Sequence, residues 1–234
     1  MLLKKRKTVE LCFHTCENKP FANILPPTKA TSLYPNWFKK IPARTDDPTL
    51  RSCPGYIDLF KKSIAIPLWR DFEIVYQGDM IQNIATPGVP PDAVYHYVQH
   101  HDPEQWGGGF PNQPHLKLMS PWLITCNSST PFLMTEASWH KETNNYTIPP
   151  GVVEFQVNTG SHVNMFLSET VQQKRVLLEA GTPIVYLTPL EDVDVEIKVK
   201  EVSVDEWSRL LNYRFSFKSN YKKMLNLFRK NYKE

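Results

Sequence analysis

Glycine is scarce in this chain of 234 residues, which contains nine glycines but 20 prolines. Three of the glycines stand together at residues 107–109 and are followed by Phe110 and Pro111. A phosphate-binding loop must lead directly into a helix, and Phe-Pro does not begin one, so this class of site is excluded. The excess of proline predicts short extended segments, with helices confined to proline-free stretches such as residues 204–234.

Other signals are missing as well. No apolar run reaches the length of a membrane span and no secretory signal is visible, so we expect no membrane and no secretion. No Gly-x-Ser-x-Gly motif specifies a nucleophilic serine. The four cysteines lack the two tight pairs of a zinc site, and we expect reduced thiols. Cys12, His14 and Cys16 share one strand face at spacings of about 6–7 Å, so a metal there needs ligands from elsewhere.

Charge is unevenly distributed along the chain. The net charge is +3, yet residues 4–7 are all basic and residues 204–234 carry eight Lys or Arg against three acidic residues. Basic ends on an acidic body predict a nucleic acid, an acidic protein partner or a second copy as the partner. Solvated ends that aid solubility are an equally good interpretation.

The β pattern dominates the middle of the chain. Short β-rich segments alternate with turn residues, which predicts a mainly β fold, an antiparallel sandwich or barrel of jelly-roll or double-stranded β-helix type. We divide the chain into a β-rich domain at 1–203 and a basic helical appendage at 204–234. The predicted strands are residues 8–14, 63–68, 71–77, 93–101, 116–119, 122–126, 131–135, 152–157, 162–167, 176–178, 184–187 and 193–202.

Proline-rich sequence precedes the first predicted helix. Residues 20–54 predict an irregular, proline-rich segment that wraps around the β-rich domain, and we call this segment the wrap. We expect its Trp37 and Phe38 to fill the core or to cover a sheet edge, with two lysines outside. Residues 53–62 then predict a short helix, because their aromatic residues recur at helical spacing. A second helical pattern begins near Trp207, with Ser203 or Asp205 available as its N-cap.

Side chains able to bind a metal or a ligand are concentrated between residues 95 and 110, which contain three histidines, two carboxylates and a tryptophan. If 93–101 is a strand, as we predict, His96 and His100 lie about 13 Å apart, too far to share one ion. If it is a helix, they form an i, i+4 pair, and Glu104 completes a set of the type used by iron oxygenases. The candidate metal ligands are His96, His100, His101 and Glu104. The leading expectation is no cofactor; the alternative is iron or another divalent metal.

A succession of short motifs over residues 30–190 resembles one family of proteins. The motifs are Pro-Asn-Trp-Phe-Lys-Lys-Ile-Pro (35–42), Cys-Pro-Gly-Tyr-Ile-Asp (53–58), Ile-Pro-Leu (66–68), Ser-Pro-Trp-Leu-Ile-Thr (120–125), Gly-Val-Val (151–153) and Ala-Gly-Thr-Pro-Ile (180–184). The family is an uncharacterised one of marine T4-like cyanophages and some proteobacteria, and residues 101–105 also resemble its His/Pro/Glu/Gln motif. The resemblance implies a viral or bacterial origin and a β-rich fold, but no activity. This chain departs from the family at 126–129, where a Pro-Gly turn is usual, and at 154–155, where Asp-Thr-Asp is favoured.

Three functions remain open. The first is a non-catalytic phage protein, a virion component or binding module located in the virion or host cytoplasm, which engages a protein partner or nucleic acid. The second is a metal-dependent, cupin-like enzyme. The third is a nucleotide-binding, dUTPase-like fold, since residues 179–184 resemble a turn into a strand of such folds, although the nucleotide-pocket motifs of those enzymes are absent. Candidate ligand-binding residues are His101, Glu104, Gln105, Trp106 and Trp122.

Overall fold

Fifteen strands and three α-helices are present in the computed structural model, which describes residues 6–16, 25–42, 49–101, 104, 112–141 and 144–215. The strands are β1 Lys7–Cys16, β2 Thr28–Lys29, β3 Ile64–Pro67, β4 Phe72–Gln77, β5 Met80–Ala85, β6 Val98–His101, β7 His115–Leu118, β8 Leu123–Cys126, β9 Phe132–Glu136, β10 Tyr146–Thr147, β11 Gly151–Val153, β12 Val163–Leu167, β13 Lys174–Leu178, β14 Pro183–Pro189 and β15 Val193–Val202. The α-helices are α1 Asn36–Lys40, α2 Pro54–Lys62 and α3 Val204–Phe215. Short 3-10 turns lie at Ala30–Leu33, Leu50–Ser52, Pro91–His96 and Ser138–His140.

The strands form four sheets. A terminal sheet has the order β15-β1-β8, a four-stranded sheet β10-β12-β7-β6, a five-stranded sheet β11-β9-β14-β3-β2, and a hairpin sheet β13-β4-β5. The prediction of a mainly β, largely antiparallel fold with a C-terminal helix is therefore confirmed. Within the described strands, the hydrogen bonding closes none of the sheets into a barrel.

One strand pair differs from the antiparallel prediction. β1 and β15 run parallel over ten paired residues, from Lys7 opposite Val193 to Cys16 opposite Val202. A parallel pair needs a long crossover connection, and here the whole β body lies between the two strands. Alternation within each strand fixes which face is apolar but not the direction of its neighbour, so the sequence pattern could not reveal this pairing.

All four sheets contribute to one hydrophobic core. Its side chains come from alternate positions of each strand, as expected when one face of a sheet is buried. Representative members, each at most 2% exposed, are Leu11, Phe13, Ile74, Leu116, Trp122, Phe132, Met165, Val176 and Leu187. Burial of this apolar area provides the main stabilising free energy of the fold.

The C-terminal helix rests against the terminal sheet. The Ser203 side chain accepts a hydrogen bond from the backbone N–H of Glu206, which confirms Ser203 as the N-cap. The backbone carbonyl of Leu210 accepts a hydrogen bond from Thr159. α3 contacts β1, whose residues from Leu11 to Cys16 are buried on both faces. The basic residues after 215 lie outside the described part of the chain.

The proline-rich wrap covers the outer face of the five-stranded sheet. Small side chains on this face, Ala65 and Ala137, leave room for rings that belong to α1, α2 and the Ser138–His140 turn. Phe38 and Phe60 are buried there, with ring centroids 5.7 Å apart. The wrap therefore covers a sheet, as the sequence predicts, and it does so on a face and not at an edge.

Two predicted strands are shorter in the structure. The prediction of a strand at 93–101 is wrong for its first part, because Pro91–His96 is a 3-10 turn that Pro90 and Pro91 initiate. The predicted strand at 152–157 ends at Val153, and the backbone N–H groups of Val157 and Asn158 donate to the carbonyl of Glu154 in a turn. The predicted turn near residue 78 is confirmed, since Gly78 has a φ of +58° between β4 and β5.

Among the described residues, no helix is long and apolar enough to cross a membrane.

Candidate functional site

The three histidines of the predicted site lie in different surroundings. His96 ends the Pro91–His96 turn and is exposed, with its ring beside that of Tyr95. His100 and His101 are adjacent in β6, so their side chains extend to opposite faces of the strand. The structure therefore does not gather the three imidazoles, and they stay candidate ligands only as separate groups.

His101 instead lies beside a histidine that the sequence pattern did not single out. His101 pairs with His115 across β6 and β7, and the ring centroids are 4.7 Å apart. The His115 ring stacks on Phe166 at 4.7 Å. Burial, together with the charge of His101, lowers the pKa of His115 to about 4, although a hydrogen bond with Asn164 acts in the opposite direction. This row of rings faces away from the main core, because the neighbouring Leu116 belongs to that core.

The remaining predicted residues are placed as follows. Glu104 is exposed, and Gln105 and Trp106 lie outside the described residues. Trp122 is fully buried and packs edge-on against Phe13, with ring centroids 6.3 Å apart. Across the ranges that the structure describes, no group of three or more His, Cys, Asp and Glu side chains is arranged to hold a metal ion.

The Cys12, His14 and Cys16 face of β1 lies on the side away from the main core. His14 Nε2 is 2.9 Å from the hydroxyl of Thr125. Burial, with a contribution from the charge of Lys200, lowers the pKa of His14. Lysines 198 and 200 of β15 pair with positions 12 and 14 of β1, which places positive charge next to this face.

A cleft of about 340 Å³ opens beside the turn that joins β13 to β14. We call it the His140 cleft. Its lining combines apolar side chains with an imidazole, an ammonium group, a phenol and a carboxylate. The lining residues are Leu68, His140, Lys141, Asn145, Tyr146, Val176, Leu177, Leu178, Glu179, Thr182 and Ile184.

The histidine of the cleft is held neutral. Burial, with a smaller contribution from Lys39, lowers the pKa of His140 to about 4. Its Nε2 atom is buried and has no hydrogen-bond partner among the described residues. The ring lies edge-on to Tyr186, with centroids 6.0 Å apart, and burial raises the pKa of that phenol. Both groups are therefore uncharged at neutral pH.

The lysine of the cleft is already paired. Lys141 Nζ lies 2.8 Å from the Glu136 carboxylate and donates to the backbone carbonyl of Tyr146. The same ammonium group lies 4.4 Å from the centre of the Tyr146 ring, a cation–π distance. The second oxygen of Glu136 accepts the backbone N–H of Ile148 at 2.8 Å. This nearly buried network fixes the wall of the cleft and neutralises its positive charge.

Sequence reasoning missed most of this cleft. His140 and Lys141 follow a predicted strand with no recognisable motif, so no local signal separates them from ordinary loop residues. The only signal was the turn pattern at 179–184, because Glu179, Thr182 and Ile184 line the cleft. Gly181 in that turn has a φ of +85°, a conformation that favours glycine.

A second candidate surface lies on the wrap. Trp37 is 46% exposed, although its Nε1–H donates a 2.9 Å hydrogen bond to the carbonyl of Trp139. The two indoles are 5.3 Å apart, and Tyr56 packs on Trp139 at 4.6 Å. Exposed Lys39 and Lys40 follow Trp37 in α1.

Comparison with known proteins gives no match, whether with a family model, a curated protein or a solved structure.

Proposed function

We propose that this protein is a non-catalytic binding module whose recognition site is the His140 cleft. One observation carries the proposal: the histidine of the cleft is neutral and its lysine is already paired. A surface of this kind can form hydrogen bonds and apolar contacts, but it has little capacity to transfer protons.

The states of the histidine and the lysine in the cleft argue against catalysis. A general base works best when its pKa is near the working pH, and the pKa of His140 is lowered to about 4. A lysine nucleophile needs a free amine, whereas the Nζ atom of Lys141 is already engaged by the Glu136 carboxylate and the carbonyl of Tyr146. These two groups therefore suit recognition better than catalysis.

Size and lining indicate the kind of ligand. A volume of about 340 Å³ is at the lower end of ordinary ligand pockets. The lining side chains of Leu68, Val176 and Ile184 favour a small apolar group, and the lining also includes a neutral imidazole and one carboxylate. A small molecule, or one side chain of a protein partner, satisfies these requirements.

The biological setting is part of the proposal. The motif succession at residues 35–184 resembles a cyanophage family, which supports a role in a phage particle or in the host cytoplasm. The shared core of the four sheets supports a jelly-roll-like sandwich, an architecture suited to a virion component. Mass spectrometry of purified virions tests this setting, and absence of the protein from particles contradicts the virion role.

Ligand-observed NMR with a fragment library tests the cleft in the full-length protein. Thr182→Phe places a ring at the lip of the cleft, and Val152→Phe makes a matched change at an exposed site on β11. We expect fragments that bind the wild-type protein and the Val152 variant but not the Thr182 variant. Fragment binding that is equal in all three proteins contradicts the proposal. Deoxyuridine monophosphate, added as one probe, tests the nucleotide-binding alternative.

The second candidate function is a metal-dependent enzyme, and the approach of His101 to His115 favours it. Stoichiometric iron, manganese or zinc in the purified protein, lost in a His115→Ala variant, supports this function. A metal-free protein whose thermal unfolding is unchanged by a chelator contradicts it.

A further inference from the structure

Trp37 combines two properties that rarely occur together. Its ring is held in place, because Nε1–H donates to the carbonyl of Trp139 and the edge of the ring meets Phe38 at 5.8 Å. Yet 46% of the residue is exposed. A side chain that only covers the sheet needs no such exposure, and one that is merely solvated needs no anchor. The indole is therefore a pre-oriented aromatic surface, and a ring that stacks on it loses little further conformational freedom of the protein.

Three cationic residues lie on the helix that carries this ring or are hydrogen-bonded to its C-terminal end. Lys39 and Lys40 lie two and three residues after Trp37 and are exposed. Arg51 is fixed beside them, because its Nη1 donates to the carbonyls of Lys39 and Ile41 at 3.1 Å each. Within the described part of the chain, none of these three cations forms an ion pair. We call Trp37, Lys39, Lys40 and Arg51 the wrap surface.

The sequence around Trp37 also carries a net positive charge. Residues 36–62 contain six Lys or Arg and three Asp. The charge of Lys39 also contributes to the lowered pKa of His140, which follows Trp139 in the chain. A fixed aromatic ring on a helix with a cationic C-terminal end matches a polyanion that carries flat rings.

We propose that the wrap surface binds single-stranded nucleic acid, with Trp37 stacked on a base and Lys39, Lys40 and Arg51 on neighbouring phosphates. Stacking on an aromatic side chain needs a base that is free of its partner strand, which favours a single strand over a duplex. Lysine binds a phosphate as a point charge, and arginine binds it through a planar fork of N–H donors. A membrane surface is the less suitable partner, because it offers phosphates but no flat ring on which Trp37 can stack.

Fluorescence anisotropy with a labelled oligothymidine of 20 nucleotides tests the proposal on the full-length protein. Trp37→Ala is compared with Tyr95→Ala, which removes an aromatic side chain that is 59% exposed elsewhere. Stacking contributes about 1–3 kcal/mol per base, so the Trp37 variant should bind about 5- to 150-fold more weakly. Trp37→Phe should recover most of the affinity, because a phenyl ring still stacks.

Charge reversal gives a second readout. The double variant Lys39→Glu/Lys40→Glu should weaken binding and reduce the slope of log affinity against log salt by about 1.4. Lys174→Glu/Lys200→Glu makes the same charge change in β13 and β15 and should leave the slope nearly unaltered. Circular dichroism of each variant separates loss of binding from loss of fold.

Several outcomes would overturn the proposal. One is the absence of binding to the oligothymidine at low salt. Another is binding that the Trp37 and Lys39/Lys40 variants leave unchanged, which would assign the affinity to the basic chain ends. Duplex binding as tight as single-strand binding would remove the role of stacking. Loss of binding to phosphatidylserine vesicles in the Trp37 variant, with oligothymidine binding retained, would identify a membrane surface as the partner.

Discussion

The two faces of the five-stranded sheet are covered in different ways. On the inner face, Phe132 and Leu187 lie fully buried in the core that all four sheets share. On the outer face, Ala65 and Tyr186 lie under a layer of rings from short helices and turns. The inner core is enclosed by sheets, so its side chains do not reach solvent. The outer layer consists of single turns, and its outermost side chains therefore border solvent. The outer layer can therefore hold an aromatic side chain in a fixed position and still expose it, which the inner core cannot.

Truncation on the inner face should have the largest effect. Phe132→Ala removes a fully buried ring that packs on Phe155, with centroids 5.6 Å apart. We expect a loss of about 3–5 kcal/mol in the free energy of unfolding, measured by urea denaturation. Val152→Ala, at an exposed site on β11, should change it by less than about 0.5 kcal/mol. A loss for Phe132→Ala as small as that control would show that the inner face is not the main core.

The same truncation in the outer layer should cost less. Phe60 is 1% exposed, but its neighbours Tyr34 and Trp139 are only half-buried and can move into the space. Phe60→Ala should therefore lower the free energy of unfolding by about 3 kcal/mol, near the lower limit for a buried phenylalanine. Urea denaturation checks it beside the Phe132 variant. A larger loss than for Phe132→Ala would reverse the comparison.

The outer layer should also give a specific acid sensitivity. His140 has an ordinary pKa of 6.5, and burial first, with Lys39 second, lowers it to about 4 in the folded protein. Between pH 4 and pH 6.5 the unfolded chain binds more protons at this histidine than the folded protein does. The contribution of neutral His140 to the free energy of unfolding is therefore fully present above pH 6.5 and is lost as the pH falls toward 4. The slope should reach about 1.4 kcal/mol per pH unit for this group.

His140→Gln should remove this part of the pH dependence in urea denaturation between pH 7 and pH 4, titrated in steps of about half a unit. Ser138→Ala, in the same 3-10 turn, changes no titrating group and should keep the wild-type slope. Identical slopes for wild-type protein and the His140 variant would contradict the neutral histidine of the cleft, and with it the main support for a recognition role.

The smallest effect on stability should come from Trp37. Its replacement by alanine removes one hydrogen bond and a partly exposed contact, which should cost about 1 kcal/mol or less. Thermal unfolding measures this change. The outer layer would thus separate binding from stability, because the residue with the largest expected effect on oligothymidine binding hardly affects the fold. A loss as large as that of Phe60→Ala would make Trp37 an ordinary packing residue.

Most strands could be predicted because alternation is a local property. The pattern at 193–202 became β15 with unchanged bounds, and of the two predicted caps, Ser203 and Asp205, the structure uses Ser203. β5 was missed, since residues 80–85 are largely exposed and show no clean alternation. The 3-10 turn at Pro91–His96 was missed because its valine and tyrosine residues favour a strand, and the prediction followed them and not the two prolines that begin the turn.

The candidate site was less predictable than the fold. The histidines at 96–101 are dense in sequence, but density along a chain does not place side chains on one face. His140, Lys141 and Glu136 belong to a strand end and the turn after it, where no period constrains the pattern. Their importance comes from what lies opposite, at Leu68 and Ile184, and those residues are remote in sequence.

The sequence by itself determined the β-rich class, most strand positions, the wrap with its aromatic residues, and the start of the last helix, because each depends on periodicity or on chemistry within a few residues. Only the tertiary structure decided that β1 and β15 run parallel, that His101 meets His115, that the cleft forms beside His140, and that Trp37 is both anchored and exposed. Each of these joins segments separated by long stretches of chain. Their juxtaposition follows from how all the sheets pack together, a property that no local pattern contains.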